Sequence, residues 1–261
     1  MSDSMCHLLS DGPKAVGSFR ALALQTACHS VNRLGVAEAR RAIADAIARV
    51  GREIRASKQF IGADLKLVVL PEYFATSYPL GETIPGWAEK ACIDPDGREY
   101  DLLSRVAQDN GIHLASNAYE RDPHFPGLYF QASVVISPGG DQVLRYRRLI
   151  SLFAPSPYDV WDAYLDRYGE DGVFPVAATA VGQLACVASE EILYPEIARA
   201  LALRGAEVLL HSTSEVSSPD LTPKDIAKRA RAIEAMAYVV SANTSVLTGV
   251  DIPASSTGGM S

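Results

Sequence analysis

An α/β fold built on a buried sheet is what the sequence predicts, on three observations. Short apolar, β-branched runs alternate with segments of helical period along the chain. A strand–helix–strand unit occupies residues 19–70. The same alternation returns from residue 182 to residue 243, after a middle section that reads as hairpin strands.

Phe19 to Gln25 reads as a short, mostly buried strand. From Val36 to about Ala56, the residues Val36, Ala39, Ile43, Ile47, Val50 and Ile54 recur at steps of three and four. They form one apolar stripe, with the arginines and acids elsewhere, which is the pattern of an amphipathic helix. Leu65 to Leu70 is apolar and partly β-branched, and Pro71 ends it. Ile112 to Ala118 and Gln131 to Ile136 are strand candidates, and Ser137-Pro138-Gly139-Gly140-Asp141 turns the chain into Val143 to Tyr146. Tyr119-Glu120-Arg121-Asp122 reads as a solvated charged turn. Gly182 to Ala188 is then a strand, and Pro195 to Arg204 a helix closed by Gly205 as its C′ residue. Glu207 to His211 is a strand, Lys224 to Met236 a helix and Ala237 to Asn243 a strand. With no low-complexity tract or linker, one domain over residues 19–261 behind an N-terminal extension (1–18) is the economical reading.

A chain of 261 residues, 48% hydrophobic, is long enough to bury a sizeable core. Its 24 Lys and Arg against 31 Asp and Glu leave a net charge of −7, and no basic block is present. Nucleic-acid binding is therefore not expected. No apolar run approaches the ~18–20 residues that span a bilayer, and the first 18 residues lack a signal-peptide core. Cys6, Cys28, Cys92 and Cys186 show no pairing pattern, which suits a reducing, cytoplasmic setting. Cys6-His7 and Cys28-His29 lack metal-ligand spacing, so neither a metal nor a cofactor is expected.

Ligands of open α/β sheets gather beyond the carboxyl ends of strands. Leu70 is followed by Pro71-Glu72-Tyr73-Phe74, a carboxylate at a strand end among aromatics; a helix-capping or surface role is the bland alternative. Ala188 is followed by Ser189-Glu190-Glu191-Ile192-Leu193-Tyr194-Pro195-Glu196, where Ser189 could equally cap the coming helix.

Taken in order, Gln25, Leu67-Val68-Val69-Leu70-Pro71-Glu72, Tyr146-Arg147-Arg148, Ser189 to Glu196 and Ala230-Arg231-Ala232-Ile233-Glu234 leading to Asn243 form a set. That set resembles the nitrilase superfamily of carbon–nitrogen hydrolases, over roughly Phe19 to Ser261. The resemblance implies a four-layer α-β-β-α sandwich and hydrolysis of amides or nitriles. It implies a Glu general base, a Lys that stabilises the tetrahedral intermediate, a Cys nucleophile and a supporting second Glu. It also implies a homodimer or higher homo-oligomer paired through helices. The helix from Pro195 and the one over Lys224 to Met236 are the expected interface pieces, with Ile197, Ala200 and Leu203 as apolar positions.

Glu72 matches the base. Ser189 stands at the nucleophile position and Arg148 at the lysine position, and no lysine occurs between Lys90 and Lys224. Where the second Glu is expected the chain reads Phe153-Ala154-Pro155-Ser156, and the nearest acid is Asp159. Cys186 lies three residues before Ser189, on the opposite strand face, and reads as a core thiol. His211, at a strand end, is the least remote histidine for a serine's base. Glu72, Arg148 and Ser189 are thus the expected catalytic residues, with Tyr73, Arg148 and Glu190 expected against a small amide or nitrile substrate. A guanidinium cannot donate a proton near neutral pH but grips carboxylates, so either a carboxylate-bearing substrate or an ion pair with Glu72 is expected at Arg148.

Three readings stay open at this point: an engineered serine in place of a native cysteine, a divergent hydrolase, and a pseudo-enzyme that binds a ligand or partner. Residues 153–174, with Trp161, Tyr164 and Tyr168 on one helical face, read as an insertion over the pocket whose aromatic stripe packs rather than lines it. Gly258-Gly259-Met260-Ser261 resembles the start of a further family strand, with the usual C-terminal tail lacking.

Overall fold

The computed structural model describes residues 16–250 apart from 153 and 217. Most of the extension, the Cys6-His7 pair, Phe153 and the Gly258-to-Ser261 segment lie outside the described residues. Two sheets face each other with helices outside both. The first, in the order β1-β3-β4-β5-β6, comprises Arg20–Ala23 (β1), Leu65–Val69 (β3), His113–Arg121 (β4), Tyr129–Ile136 (β5) and Gln142–Arg147 (β6). The second, β10-β9-β8-β7, comprises Ala177–Thr179 (β7), Gly182–Ala188 (β8), Val208–Thr213 (β9) and Tyr238–Asn243 (β10). A small parallel pair joins Ala27–His29 (β2) to Val246–Thr248 (β11).

Helices α1 (Val36–Ile61), α2 (Ile84–Lys90) and α3 (Arg98–Asn110) cover the first sheet, while α5 (Pro195–Leu203) and α6 (Pro223–Ala235) cover the second. α4 (Trp161–Val173) packs on Phe125 and Phe130 beside the first. Side chains alternate accordingly. In β8, Leu184, Cys186 and Ala188 face Leu67, Val69 and Leu210 between the sheets, whereas Ala185 and Val187 face Ile197 and Leu201 on α5. The arrangement is the expected α-β-β-α sandwich. Cys186 sits where strand parity puts it, and burial pushes its thiol pKa up, away from nucleophilic use.

α1 buries Ala39, Ile43, Ile47, Val50 and Ile54, the expected stripe without Val36, which is exposed at the first helical position, and runs five residues past Ala56. α3 was not expected, although Tyr100, Leu103, Val106 and Ala107 carry its period; charges between them blur the pattern. Gly205 takes φ +95° after α5, as a C′ glycine does. Ile197 is only 5% exposed and belongs to the core under α5, not to an outer face; Leu203, Ile226, Ile233 and Met236 are exposed apolar residues on and beside these two helices. No helix among the described residues is long and apolar enough to cross a membrane.

The charged turn expected at 119–122 is corrected. Glu120 and Asp122 are buried and meet the Arg147 guanidinium at 3.2 and 2.6 Å. Phe130 and Tyr168 stack on that guanidinium, 5.2 and 4.8 Å from their centroids. β4 runs through this segment because Arg147, two strands away, neutralises acids that would otherwise need water. Tyr164 and Tyr168 therefore form a packing stripe, while Trp161 leaves it and lies near Tyr158.

Leu210, 1% exposed between the sheets, reports on that packing. Leu210→Ala lowers unfolding stability by about 3 kcal/mol in urea titration, the cost of an unfilled cavity; a loss below about 1 kcal/mol contradicts a close-packed interface between the sheets.

Candidate active site

Beyond the carboxyl end of β3 the chain turns sharply at Pro71-Glu72-Tyr73, with Tyr73 at φ +37°. Glu72 is 2% exposed, so the capping and surface alternatives fail. Arg148, just past β6, directs its guanidinium to the same point. Its Nη1 donates to Glu72 Oε1 and to Gln131 Oε1, both at 2.8 Å. Its Nη2 donates to Glu190 Oε2 and its Nε to the Ile150 carbonyl, both at 2.5 Å. Four of the five guanidinium N–H groups are thereby committed.

The strands between β3 and β6 complete the arrangement. Gln131 on β5 donates to Glu72 Oε1 (2.9 Å) and to Asn117 Oδ1 (3.0 Å). Asn117 on β4 also accepts from the Tyr73 amide at 3.0 Å, which fixes the turn carrying Glu72. Gln131 and Asn117 were not singled out by the sequence. The available signal was two amides interrupting strands otherwise apolar enough to be buried.

Ser189 follows β8 directly and opens the short 3₁₀ turn Ser189–Leu193. It is 2% exposed and sits at φ +51°, a left-handed backbone that a non-glycine residue holds only under constraint. Its side chain makes no helix cap. Two side chains, His211 and Glu191, hold the turn. Ser189's carbonyl meets His211 Nε2 at 2.9 Å, and Glu191 accepts from the amides of Ala188, Leu149 and Ile150 and from the Tyr146 hydroxyl. His211 thus reaches the backbone of Ser189 and not its hydroxyl, so a general-base role is excluded by geometry. Burial lowers the His211 pKa to about 3, and a neutral ring donating through Nε2 must accept from Ser241 at Nδ1 (2.8 Å).

Lys224, from the first turn of α6, was not anticipated. Its Nζ donates to Glu190 Oε1 at 2.8 Å and lies 3.4 Å from Ser189 Oγ and 3.5 Å from Thr213 Oγ1. No sequence pattern around Pro223-Lys224 announces this, because the contact spans 35 residues. Asp159 is not part of the site; it accepts from the Ser156 amide at 2.7 Å. Tyr73's ring packs beside Tyr78 and Tyr119, at 5.6 and 6.5 Å.

Electrostatics separate the acids. Burial raises the Glu72 pKa, against the opposing pull of Arg148, Gln131 and the Ser189 side chain. Glu190 is also partly desolvated, but Lys224 and Arg148 outweigh that and hold it down at about 2. Burial disfavours the Arg148 charge, yet Glu72, Glu191 and Glu190 together raise its pKa. A carboxyl poised upward beside a buried hydroxyl, with fixed cations around it, suits proton transfer to and from a reacting group. Among the described residues no His, Cys, Asp and Glu cluster has the makings of a metal site.

The Carbon-nitrogen hydrolase family profile matches residues 23–250. The chain belongs to the carbon–nitrogen hydrolase family. A Pseudomonas protegens protein described as "Hydrolase in pqqF 5′ region" is 32% identical over 69% of this chain and 59% of its own length. A Pyrococcus abyssi nitrilase is 32% identical over 72% of this chain and 64% of its own. A Bacillus thuringiensis formamidase is 27% identical over 82% and 60%. The chain thus spans about three fifths of the length of these relatives. Among solved structures, a nitrilase-superfamily protein of Saccharomyces cerevisiae superposes with TM-score 0.69 at 17% identity, covering 90% of this chain and 79% of that one. A carbon–nitrogen hydrolase of Helicobacter pylori gives 0.60 at 21%, covering 92% and 77%. These similarities establish the fold.

The neutral, buried His211 makes this hydrolase-family protein acid-sensitive in a defined window. In the unfolded chain the ring gains a proton below pH 6.5, whereas in the folded one it stays neutral down to about 3. Stability is therefore fully present above 6.5 and falls as pH drops through that interval. Urea midpoints across the window fall more steeply for the parent than for His211→Gln; equal slopes contradict a neutral His211.

Proposed function

We propose that the protein hydrolyses the carbon–nitrogen bond of a small amide, or of a nitrile by the related addition, with Ser189 as nucleophile and Glu72 as general base. One observation carries this reading: Ser189 is held at a left-handed turn with its hydroxyl beside Lys224 and among the groups that stabilise the charge on Glu72. A turn under that constraint is retained where a side chain must be presented in one place. The Arg148 and Gln131 bonds both end on Glu72 Oε1, leaving Oε2 outside them.

In this scheme Glu72 takes the hydroxyl proton as Oγ bonds to the substrate carbon. It returns that proton to the leaving nitrogen, and water then releases the acid from the acyl-serine. Arg148 serves as a fixed positive charge that keeps Glu72 in position. With one free N–H it offers a substrate carboxylate no bidentate grip, so a neutral small amide fits better than a carboxylate-bearing one.

The second reading, a binding protein that has lost hydrolysis, draws support from the Glu72–Arg148 ion pair, which resembles a structural lock between the ends of β3 and β6. Exposed Leu203, Ile233 and Met236 on the α5–α6 face support pairing of copies in either case.

Ammonia release from formamide and other short aliphatic amides separates the two. Activity falls by about 10³-fold or more in Ser189→Ala and in Glu72→Gln if the pair carries the chemistry. Activity that survives Ser189→Ala removes the serine from the reaction. Silence of the parent with activity gained in Ser189→Cys marks a site silenced at its nucleophile.

A further inference from the structure

Thr222-Pro223-Lys224-Asp225 opens α6 as a closed cap. The Thr222 hydroxyl accepts from the Asp225 amide at 3.2 Å, while the Asp225 carboxylate accepts from the Thr222 amide and hydroxyl at 3.1 and 2.9 Å. The cap fixes the backbone of Lys224 in the first helical turn. Helical side chains point back toward the N-terminus, which here is toward the ends of β8 and β9. The Lys224 side chain is 13% exposed and ends at Ser189, Glu190 and Thr213.

The charged side chains around Ser189 are Glu72 from the β3 turn, Arg148 from beyond β6, Glu190 from its own turn and Lys224 from α6, while His211 holds its carbonyl. Of the two cations, Arg148 has four of its five N–H groups committed to Glu72, Gln131, Glu190 and Ile150. Lys224 has one close bond, to Glu190, and two longer contacts aimed at hydroxyl oxygens. An ammonium with donors in hand can strengthen a contact as charge develops on the acceptor, and such differential stabilisation is what accelerates a reaction.

We infer that Lys224 is a further catalytic residue, the ammonium that stabilises negative charge at Ser189 Oγ and on the oxyanion of the adduct. The inference rests on the reading of Ser189 as nucleophile and deepens it. Glu72 removes the Oγ proton, the Oγ–C bond forms, and the carbonyl π pair moves to oxygen. That oxygen lies two bonds from Oγ, within reach of Lys224 Nζ. Collapse of the adduct breaks the C–N bond, with the proton on Glu72 passing to the leaving ammonia. Lys224 remains protonated throughout, and Glu190 keeps it in place from the other side. The positive charge at this step thus comes from α6 of the second layer of helices, and not from the end of β6.

The test reads Lys224 with and without turnover. In Ser189→Cys, the thiol pKa is measured from the pH dependence of iodoacetamide alkylation at residue 189, followed by peptide mass. Adding Lys224→Met raises that pKa by about one unit or more. An unmoved titration overturns the inference whatever the hydrolysis assays give, so its failure is distinguishable from failure of Ser189 as nucleophile. In the parent background, Lys224→Met lowers kcat for the amide by about 10²-fold or more with little change in KM, and Lys224→Arg recovers part of the loss. A loss confined to KM also overturns it. Circular dichroism checks each fold, and if Lys224→Met does not fold, Lys224→Gln takes its place in both measurements with the same two outcomes deciding.

Discussion

Glu72 and Arg148 stand at the ends of β3 and β6, strands that are not neighbours, since β4 and β5 lie between them. Both are almost fully buried and meet at 2.8 Å. Either charge alone would cost several kcal/mol to desolvate, and removing one partner of such a pair typically costs 3–5 kcal/mol. The intervening strands reduce that cost by supplying Asn117 and Gln131, so the polar row crosses four strands of the sheet. A one-residue slip of β5 would turn Gln131 to the other face and leave the pair without its donor. The register of the first sheet and the electrostatics of the site are therefore a single constraint.

The second sheet joins this row through Glu190, which binds Arg148 on one side and Lys224 on the other. Its neighbour Glu191 receives three amides and the Tyr146 hydroxyl, tying the Ser189 turn to the chain beyond β6. His211, opposite Val187 in the β8–β9 ladder, holds the Ser189 carbonyl from below. The left-handed Ser189 is thus held by side chains from β6, β9 and its own turn. The apolar layer of Leu67, Val69, Leu184 and Leu210 presses the sheets together and brings these pieces within bonding distance.

Tyr146-Arg147-Arg148 shows how finely strand parity distributes function. Tyr146 and Arg148 serve the site, whereas Arg147, on the other face, neutralises Glu120 and Asp122 beneath the α4 aromatics. Two adjacent arginines of identical chemistry end in separate networks because successive strand residues point to opposite faces.

By itself the sequence determined the alternation of strands and helices, the sandwich through its resemblance, and the identity of Glu72, Arg148 and Ser189 as the residues to watch. These rest on local period and on motif order, which neighbouring residues carry. It did not reveal α3, whose stripe is diluted by charge, nor the buried state of Glu120 and Asp122, which depends on an arginine two strands away. Only the tertiary structure decided that Arg148 is spent on Glu72, that Gln131 and Asn117 support the pair, and that Lys224 reaches Ser189. Each of those contacts joins residues 14 to 76 positions apart. The strand register, the packing of the two sheets and the cap of α6 set such distances, and none of these is written in any local stretch of chain.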